Sequence, residues 1–320
     1  MNWDFVILAI ITIVGISTPI LLAGLGELVV EKSGVLNLGV EGMMLVGAIA
    51  GFAGTVFASM NGFGPLAPWI GVVAAAVCGA LSGLLFGFFV LTLRSNQVAT
   101  GLALTIFGTG LSSLIGLSFV GRIVPPFGSI FPPDLARDPV LKVFFGYSPI
   151  VYLALLMVVL VAWFLKSTRA GLILRAVGEN DLSAHSIGYS VIGVRYAAIA
   201  FGGAMAGIGG AYFSLVITPM WAERMTAGRG WIALALVVFA SWKAPRLLVG
   251  AYFFGVLMWL ELNAKAGGLS FIPGAQAIPS QFWAAMPYIM TVVVLTLISM
   301  RDRVGLNAPA CLGKPFLPAT

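Results

Sequence analysis

Along most of this chain, stretches of about twenty residues pass with scarcely a charge, and the charges that do occur gather between them. A helix that crosses the roughly 30 Å hydrocarbon core of a bilayer needs about 20 apolar residues, and it must satisfy its own backbone hydrogen bonds. Reading apolar runs against charged punctuation predicts about nine spans (eight to ten), at residues 5–26, 36–58, 69–93, 98–118, 148–166, 196–217, 228–242, 247–265 and 282–300. The expected fold class is an all-α polytopic membrane protein, one transmembrane domain over residues 1–320, with a lipid bilayer as its main solvent. The charged fraction agrees: 9% of residues are Asp, Glu, Lys or Arg, against roughly 25% in soluble domains. So few charges cannot coat a surface in water, which excludes a soluble enzyme. High apolar content excludes disorder, and two cysteines exclude a disulfide scaffold. Cys78 lies inside an apolar run and Cys311 in a polar tail, and both are expected to be free thiols.

Two runs stand apart. The stretch 228–242 is short and opens with Gly228 and Gly230, which predicts a broken helix buried among others. The first run is interrupted by Pro19 and is expected to be irregular there. Residues 1–4 carry no basic segment of a signal peptide, so this run is expected to be retained. Placing the N-terminus outside and the C-terminus inside collects Lys32, Arg94, Lys166, Arg169, Arg175, Arg195, Lys243, Arg246, Arg301, Arg303 and Lys314 on the inner side. Only Arg122, Arg137, Lys142, Arg224, Arg229 and Lys265 fall outside, eleven against six, which favours this orientation under the positive-inside rule. These cations form no continuous stripe, so nucleic acid is not an expected partner.

No chemistry of an enzyme is legible. There is no GxxxxGK[ST], since Gly313 and Lys314 are followed by Pro315, and neither HExxH nor GxSxG occurs. One histidine and two distant cysteines cannot assemble the usual metal site. No catalytic residue, metal or cofactor is therefore expected. Two longer loops remain: an extracytoplasmic one at 119–147, stiffened by two Pro-Pro pairs, and an inner one at 166–195, the largest polar stretch.

Within the inner loop, residues 175–188 read RAVGENDLSAHSIG. Asn180 or Asp181 can cap a short helix by accepting from its first N–H groups, and Gly188 suits the left-handed residue that ends it. About seven residues give a rod roughly 10 Å long, too short to persist alone. It is expected to be held by the rest of the protein or by a partner, with Leu182, Ala184 and Ile187 offering apolar contacts to a partner groove and Glu179, Ser183 and His185 completing the docking element. His185 is read as a surface or interface residue.

This loop resembles the coupling helix of ABC importer permeases. Three further stretches resemble the nucleoside branch of that family, which is related to sugar and branched-chain amino acid permeases: STPILLAGLGELVVEKSGVLNLGVEGMMLVGAIAGF (17–52), SNQVATGLALTIFGTGL (95–111) and MTAGRGWIALALVVFASW (225–242). The resemblance spans about residues 15–300. The older permease signature, Glu-Ala-Ala and, after three intervening residues, Gly, survives only as Ala184 and Gly188, with Leu182 and Ser183 in the other places. The resemblance implies a membrane subunit that pairs with a second, similar permease, a cytoplasmic ABC ATPase subunit, and an extracytoplasmic binding protein or lipoprotein. It would act in a bacterial plasma (inner) membrane and pass nucleosides by alternating access.

Polar residues inside spans are costly in lipid and therefore informative. Asn37 and Glu41, four apart, share a helix face; Asn96, Gln97 and Thr100 form a second cluster, and Thr226 with Arg229 a third. These are the candidate substrate path, with Phe107 or Trp231 placed to stack on a base. The same residues admit plainer roles: Glu41 and Arg229 can pair, and Asn96 can cap the helix after it. Two stripes of small residues, Gly79, Gly83 and Gly87, and Gly203, Gly207 and Ala211, predict close helix packing. Two alternatives stay open: a permease for sugars or another small polar solute, and a secondary transporter using Glu41 and Glu261 as ion sites.

Overall fold

Lipid supplies no hydrogen-bonding partners, so a chain this apolar must close its backbone bonds within its own segments. The computed structural model describes residues 3–125, 127–132, 139–266, 278–300 and 308–317; Arg137, Arg301 and Arg303 lie outside them. The described chain is helical, with one isolated antiparallel bridge between Ile123 and Met220. In order the helices are α1 (Trp3–Lys32), α2 (Val40–Met60), α3 (Ala67–Gly87), α4 (Gln97–Gly116), α5 (Pro139–Phe145), α6 (Pro149–Ser167), α7 (Arg169–Glu179), α8 (Asp181–Ser186), α9 (Val191–Tyr212), α10 (Arg229–Phe239), α11 (Ala244–Lys265) and α12 (Ser280–Ser299). Wider π turns extend α3 and α9, at Phe88–Thr92 and Phe213–Ile217. Seven described helices are long and apolar enough to cross a membrane: α1, α2, α3, α4, α6, α9 and α11. The other two predicted runs hold shorter apolar helices, Arg229–Phe239 and Gln281–Val294.

The first helix departs from its sequence reading twice. It is continuous through Pro19. The proline removes one N–H and crowds the carbonyl four residues back, which here belongs to Gly15. In the same turns Ser17 and Thr18 donate their hydroxyls to the Ile13 and Val14 carbonyls, at 2.6 and 2.8 Å. The helix also runs six residues past the apolar limit at 26, because Glu27 and Glu31 are buried with partners instead of marking a water interface. Glu27 accepts from the Asn37 backbone and side chain, and Glu31 accepts from the Trp242 indole N–H at 2.5 Å.

At the centre α1, α2, α3 and α9 pack on one another, with α10 and α11 against α1 and α4 against α2. The two small-residue stripes face each other across this core. A Cβ on Gly79 would stand 2.2 Å from the Gly203 carbonyl oxygen, and one on Gly207 would stand 2.2 Å from that of Ala75. Backbones this close gain dispersion contact over their whole length, the attraction available where lipid competes equally for apolar side chains.

The polar loop at 166–195 is more ordered than its composition suggests. Thr168 Oγ1 accepts from the Gly171 N–H at 3.0 Å and starts α7, which buries Gly171, Leu174, Val177 and Gly178 on one side. In the Pro-rich loop, Val124 and Phe127 bind back on the end of α9, donating their N–H groups to the carbonyls of Pro219 and Leu215, both at 3.1 Å.

Candidate functional site

Helix α10 begins inside the molecule, and its first N–H groups need acceptors. Gly228 precedes it at φ +78°, a left-handed residue without a side chain to cap. The acceptor comes from another helix. Glu41, in the first turn of α2, takes the Thr226 hydroxyl (2.5 Å) and the Gly228 N–H (2.8 Å) on Oε1, and the Gly230 N–H (2.7 Å) on Oε2. The carboxylate thus sits at the positive end of the α10 dipole. Gly230 is required for this approach, since a Cβ there would lie 2.7 Å from the Glu41 backbone nitrogen. The plainer alternative, an ion pair of Glu41 with Arg229, is not among the contacts of the described residues. Arg229 donates to the carbonyls of Met225 and Thr226, at 3.3 and 3.5 Å, and its guanidinium carbon lies 4.9 Å from the centroid of the Phe213 ring.

Beside this knot opens a cleft of about 830 Å³ between α2, α4, the turn before α10, and α12. Glu41 and Leu45 line it from α2; Leu102, Thr105, Ile106 and Thr109 from α4; Arg224, Ala227, Gly228 and Trp231 from the turn and α10; and Tyr288 from α12. Its chemistry is mixed. Trp231 and Tyr288 are about half exposed and present aromatic surface. The hydroxyls of Thr105, Thr109 and Tyr288 already donate to the carbonyls of Leu38, Thr105 and Ala227, at 3.1, 2.8 and 3.0 Å. What they offer a solute is acceptor lone pairs, while donors come from the exposed guanidinium of Arg224.

The sequence-predicted residues divide accordingly. Glu41 lines the cleft and Thr226 is bound to Glu41, while Arg229 is not among the lining residues. Asn37 is buried away from it, accepting from the Gly39 N–H at 2.9 Å and donating to Glu27 at 3.3 Å. Gln97 accepts the Leu36 N–H at 2.8 Å and donates to the Lys314 carbonyl at 3.5 Å, a tie between the α1–α2 turn and the C-terminal segment. Asn96 caps α4 by accepting from the Ala99 N–H at 3.0 Å, and Thr100 follows in its first turn. Of the two candidate stacking rings, Trp231 lines the cleft and Phe107 is not among its lining residues. Glu261, the other carboxylate of the ion-site alternative, is held by Lys265 at 2.6 Å. Thr105, Thr109, Arg224 and Tyr288 escaped the sequence reading. Thr105 and Thr109 carried a signal, a hydroxyl pair four apart on one face of α4.

The second site is α8. Asn180, not Asp181, is its cap: Oδ1 accepts from the Ser183 N–H at 2.9 Å. Gly188 ends the segment at φ +97°. Asp181 instead pairs with Arg195 of α9, Nη2 to Oδ2 at 3.2 Å, and the fully buried Arg195 also donates Nε to the Ser33 carbonyl at 3.1 Å. Ala184 is not displayed to a partner. It is 3% exposed and packs with Val177, Val191 and Phe316. Leu182 and Ile187 are the outward apolar groups, 49% and 75% exposed. Glu179, Ser183 and His185 are exposed as well, the His185 ring standing edge-on to Phe316 at 5.4 Å. The segment 308–317 straps this region through bonds from the Cys311 and Gly313 N–H groups to the carbonyls of Gly178 and Gly34. Cys78 and Cys311 are free, and among the described residues no cluster of His, Cys, Asp and Glu could hold a metal ion.

Comparison with known proteins places this architecture. A Haloferax volcanii protein named as a candidate glucose ABC transporter permease, TsgC13, is 39% identical over 313 residues, covering 92% of this chain and 93% of its own. The guanosine ABC transporter permease protein NupQ of Bacillus subtilis is 32% identical over 310 residues, 94% of this chain and 93% of its own. The nucleoside ABC transporter permease protein NupC of Lactococcus lactis is 32% identical over 289 residues, 88% and 89% of the two chains. The family model described as "Branched-chain amino acid transport system / permease component" matches residues 9–298. With its long apolar helices packed on glycine contacts and that match over nearly its whole length, the chain belongs to this family of ABC transporter permeases.

Proposed function

We propose that this chain is the translocation subunit of an ATP-driven importer and passes nucleosides through the cleft beside Glu41 by alternating access. The observation that carries the cargo is the composition of that cleft: aromatic faces at Trp231 and Tyr288 opposite a row of acceptor hydroxyls, with a guanidinium at its edge. A nucleobase stacks on an aromatic side chain, ribose hydroxyls donate to threonine and tyrosine oxygens, and base carbonyls accept from Arg224. Two relatives named for guanosine and nucleoside transport support the same cargo. A sugar is the second reading, favoured by the relative named for glucose.

ATP hydrolysis belongs to a partner ATPase docked on α8, with Leu182 and Ile187 as the covered groups and Glu179, Asn180, Asp181, Ser183, Ala184, His185 and Gly188 shaping or supporting the surface. A second permease subunit and an extracytoplasmic binding protein complete the complex. In this arrangement α10 and α12 join the seven long helices to give about nine spans in a plasma membrane. The N-terminus lies outside, and residues 166–195 and the C-terminus lie in the cytoplasm. ATPase closure displaces α8, and the Arg195 bridge conveys that displacement to α1 and α9.

The test is uptake of labelled uridine, inosine and adenosine by cells with and without the chain, challenged with excess sugars and branched-chain amino acids. Loss of nucleoside uptake on deletion, and a raised KM in Trp231→Ala with ATPase association intact, is the expected result. Uptake lost only for a sugar transfers the cleft to that cargo; nucleoside uptake unchanged by deletion overturns the reading.

A further inference from the structure

Five cations that the sequence scatters over 215 residues meet around one cleft. Lys32 at the end of α1, Lys166 at the end of α6, Arg175 on α7, and Lys243 and Arg246 at the start of α11 line a cavity of about 650 Å³ together with Trp242. Two carboxylates, Glu31 and Glu179, act on Lys32, against five cations lining the cleft. Glu31 is buried and accepts the Trp242 N–H, and Glu179 acts on Lys32 from α7. Lys166, Lys243 and Arg246 stand exposed at the rim. Arg175 reaches deeper, and its Nε is buried with no hydrogen-bond partner among the described residues. The walls between the cations are apolar, with Ala162 and Leu165 of α6 opposite Pro245 of α11.

Basic groups gathered in one concavity repel one another, so a site of this kind is completed by an anion with several acceptor oxygens. The cleft lies between the ends of two long apolar helices, α6 and α11, which pack together. Its position is therefore that of the lipid headgroup layer, where Lys and Arg stems lie along apolar surface with their charges outward. The coupling helix α8 lines none of it and packs instead on α7 and α9. We infer that this cleft is a binding site for an anionic phospholipid of the leaflet on the α8 side, its phosphate held by Arg175, Lys166 and Arg246 and its glycerol and first acyl carbons against Leu165 and Pro245. A phosphate tethered to acyl chains fits a basic rim over apolar walls; a free phosphate would leave those walls without a contact.

The full-length protein, purified with its transporter partners, is exchanged into nanodiscs of phosphatidylcholine with or without phosphatidylglycerol, and the lipid retained after detergent washing is measured by native mass spectrometry. The wild type is expected to retain phosphatidylglycerol in preference to phosphatidylcholine. Each of Lys166→Gln, Arg175→Gln and Arg246→Gln should weaken that preference about fivefold, the worth of one surface cation against an anionic lipid. Arg94→Gln, an equal loss of charge away from the cleft, should leave it unchanged. Lys166 and Arg246 are exposed, so their variants keep the test readable if Arg175→Gln disturbs α7. No preference in the wild type, or an undiminished preference in the Lys166 and Arg246 variants, overturns the inference. Displacement of the lipid by millimolar inorganic phosphate overturns it in favour of a free anion. Loss of ATPase from these variants with lipid retention unchanged overturns it in favour of a protein contact. Lipid retention is read without any transported solute, so the outcome stands apart from the assignment of cargo.

Discussion

Replacing Glu41 by glutamine keeps the length of the side chain and exchanges one acceptor oxygen for a donor. The wild-type carboxylate takes three donors, the Thr226 hydroxyl and Gly228 N–H on one oxygen and the Gly230 N–H on the other. The best orientation of the amide keeps its oxygen on the first two, which sets an NH2 group against the Gly230 N–H. One hydrogen bond to a charged acceptor is lost, about 1.5–3 kcal/mol, and a buried donor is left unmatched. Removing the negative charge from the end of α10 costs ~0.5–1 kcal/mol more. We expect Glu41→Gln to destabilise the packing of α10 by about 3 kcal/mol, read as a lowered thermal midpoint of the purified protein and as faster tryptic cleavage at Arg224 and Arg229. Thr226→Val removes one of the same three donors. In a double-mutant cycle the pair should therefore couple by ~1 kcal/mol or more, beyond the few tenths typical of independent sites. A Glu41→Gln protein as stable as wild type, with Thr226→Val additive to it, would refute the view that this carboxylate is the cap of α10.

Asn180→Ala removes the cap of α8 and should cost ~1 kcal/mol, seen as reduced ATPase co-purification that Asn180→Asp restores. Leu182→Glu should also lower ATPase association while leaving protease resistance intact. Ala184→Arg, which forces a charge into the contact with Val177, Val191 and Phe316, should expose residues 308–317 to protease first. Gly207→Val sets a side chain 2.2 Å from the Ala75 carbonyl and should abolish the yield of monodisperse protein, whereas Gly110→Ala, with nothing within 4 Å of its new Cβ, should be silent.

What could be read from the sequence was whatever water and lipid dictate directly. Seven of the nine apolar runs are long membrane-type helices, and the run after Gly228 is the short, partly buried helix that its glycines suggested. The facing of the two small-residue stripes was half legible: each was visible, but nothing local says that Gly79 meets Gly203. Longer-range relations were opaque for a definite reason. Glu27 and Glu31 read as the edge of a membrane because a carboxylate in lipid is costly, and that cost is offset only by partners that folding supplies, Asn37 from the turn after α1 and Trp242 from 211 residues away. Helix α7 was hidden because its 11 residues are too few to cross a membrane and Arg169, Arg175 and Glu179 punctuate them as a loop. At the cleft, Glu41 and Thr226 were found from cost alone, while Tyr288 became part of the site only through the packing of α12 against α10. Ala184 was misjudged outward because the strap that covers it lies more than 120 residues later.

The contact between α3 and α9 also has a consequence for biosynthesis. Gly79 and its partners Gly203 and Gly207 are separated by about 125 residues. At roughly 5–20 residues per second of synthesis, α2 and α3 wait on the order of ten seconds in the bilayer with their glycine faces open before α9 emerges. During that interval their backbones are available to any other small-faced helix nearby. A nascent chain stalled before residue 191 should therefore be a substrate for membrane quality control, and one released after residue 217 should not.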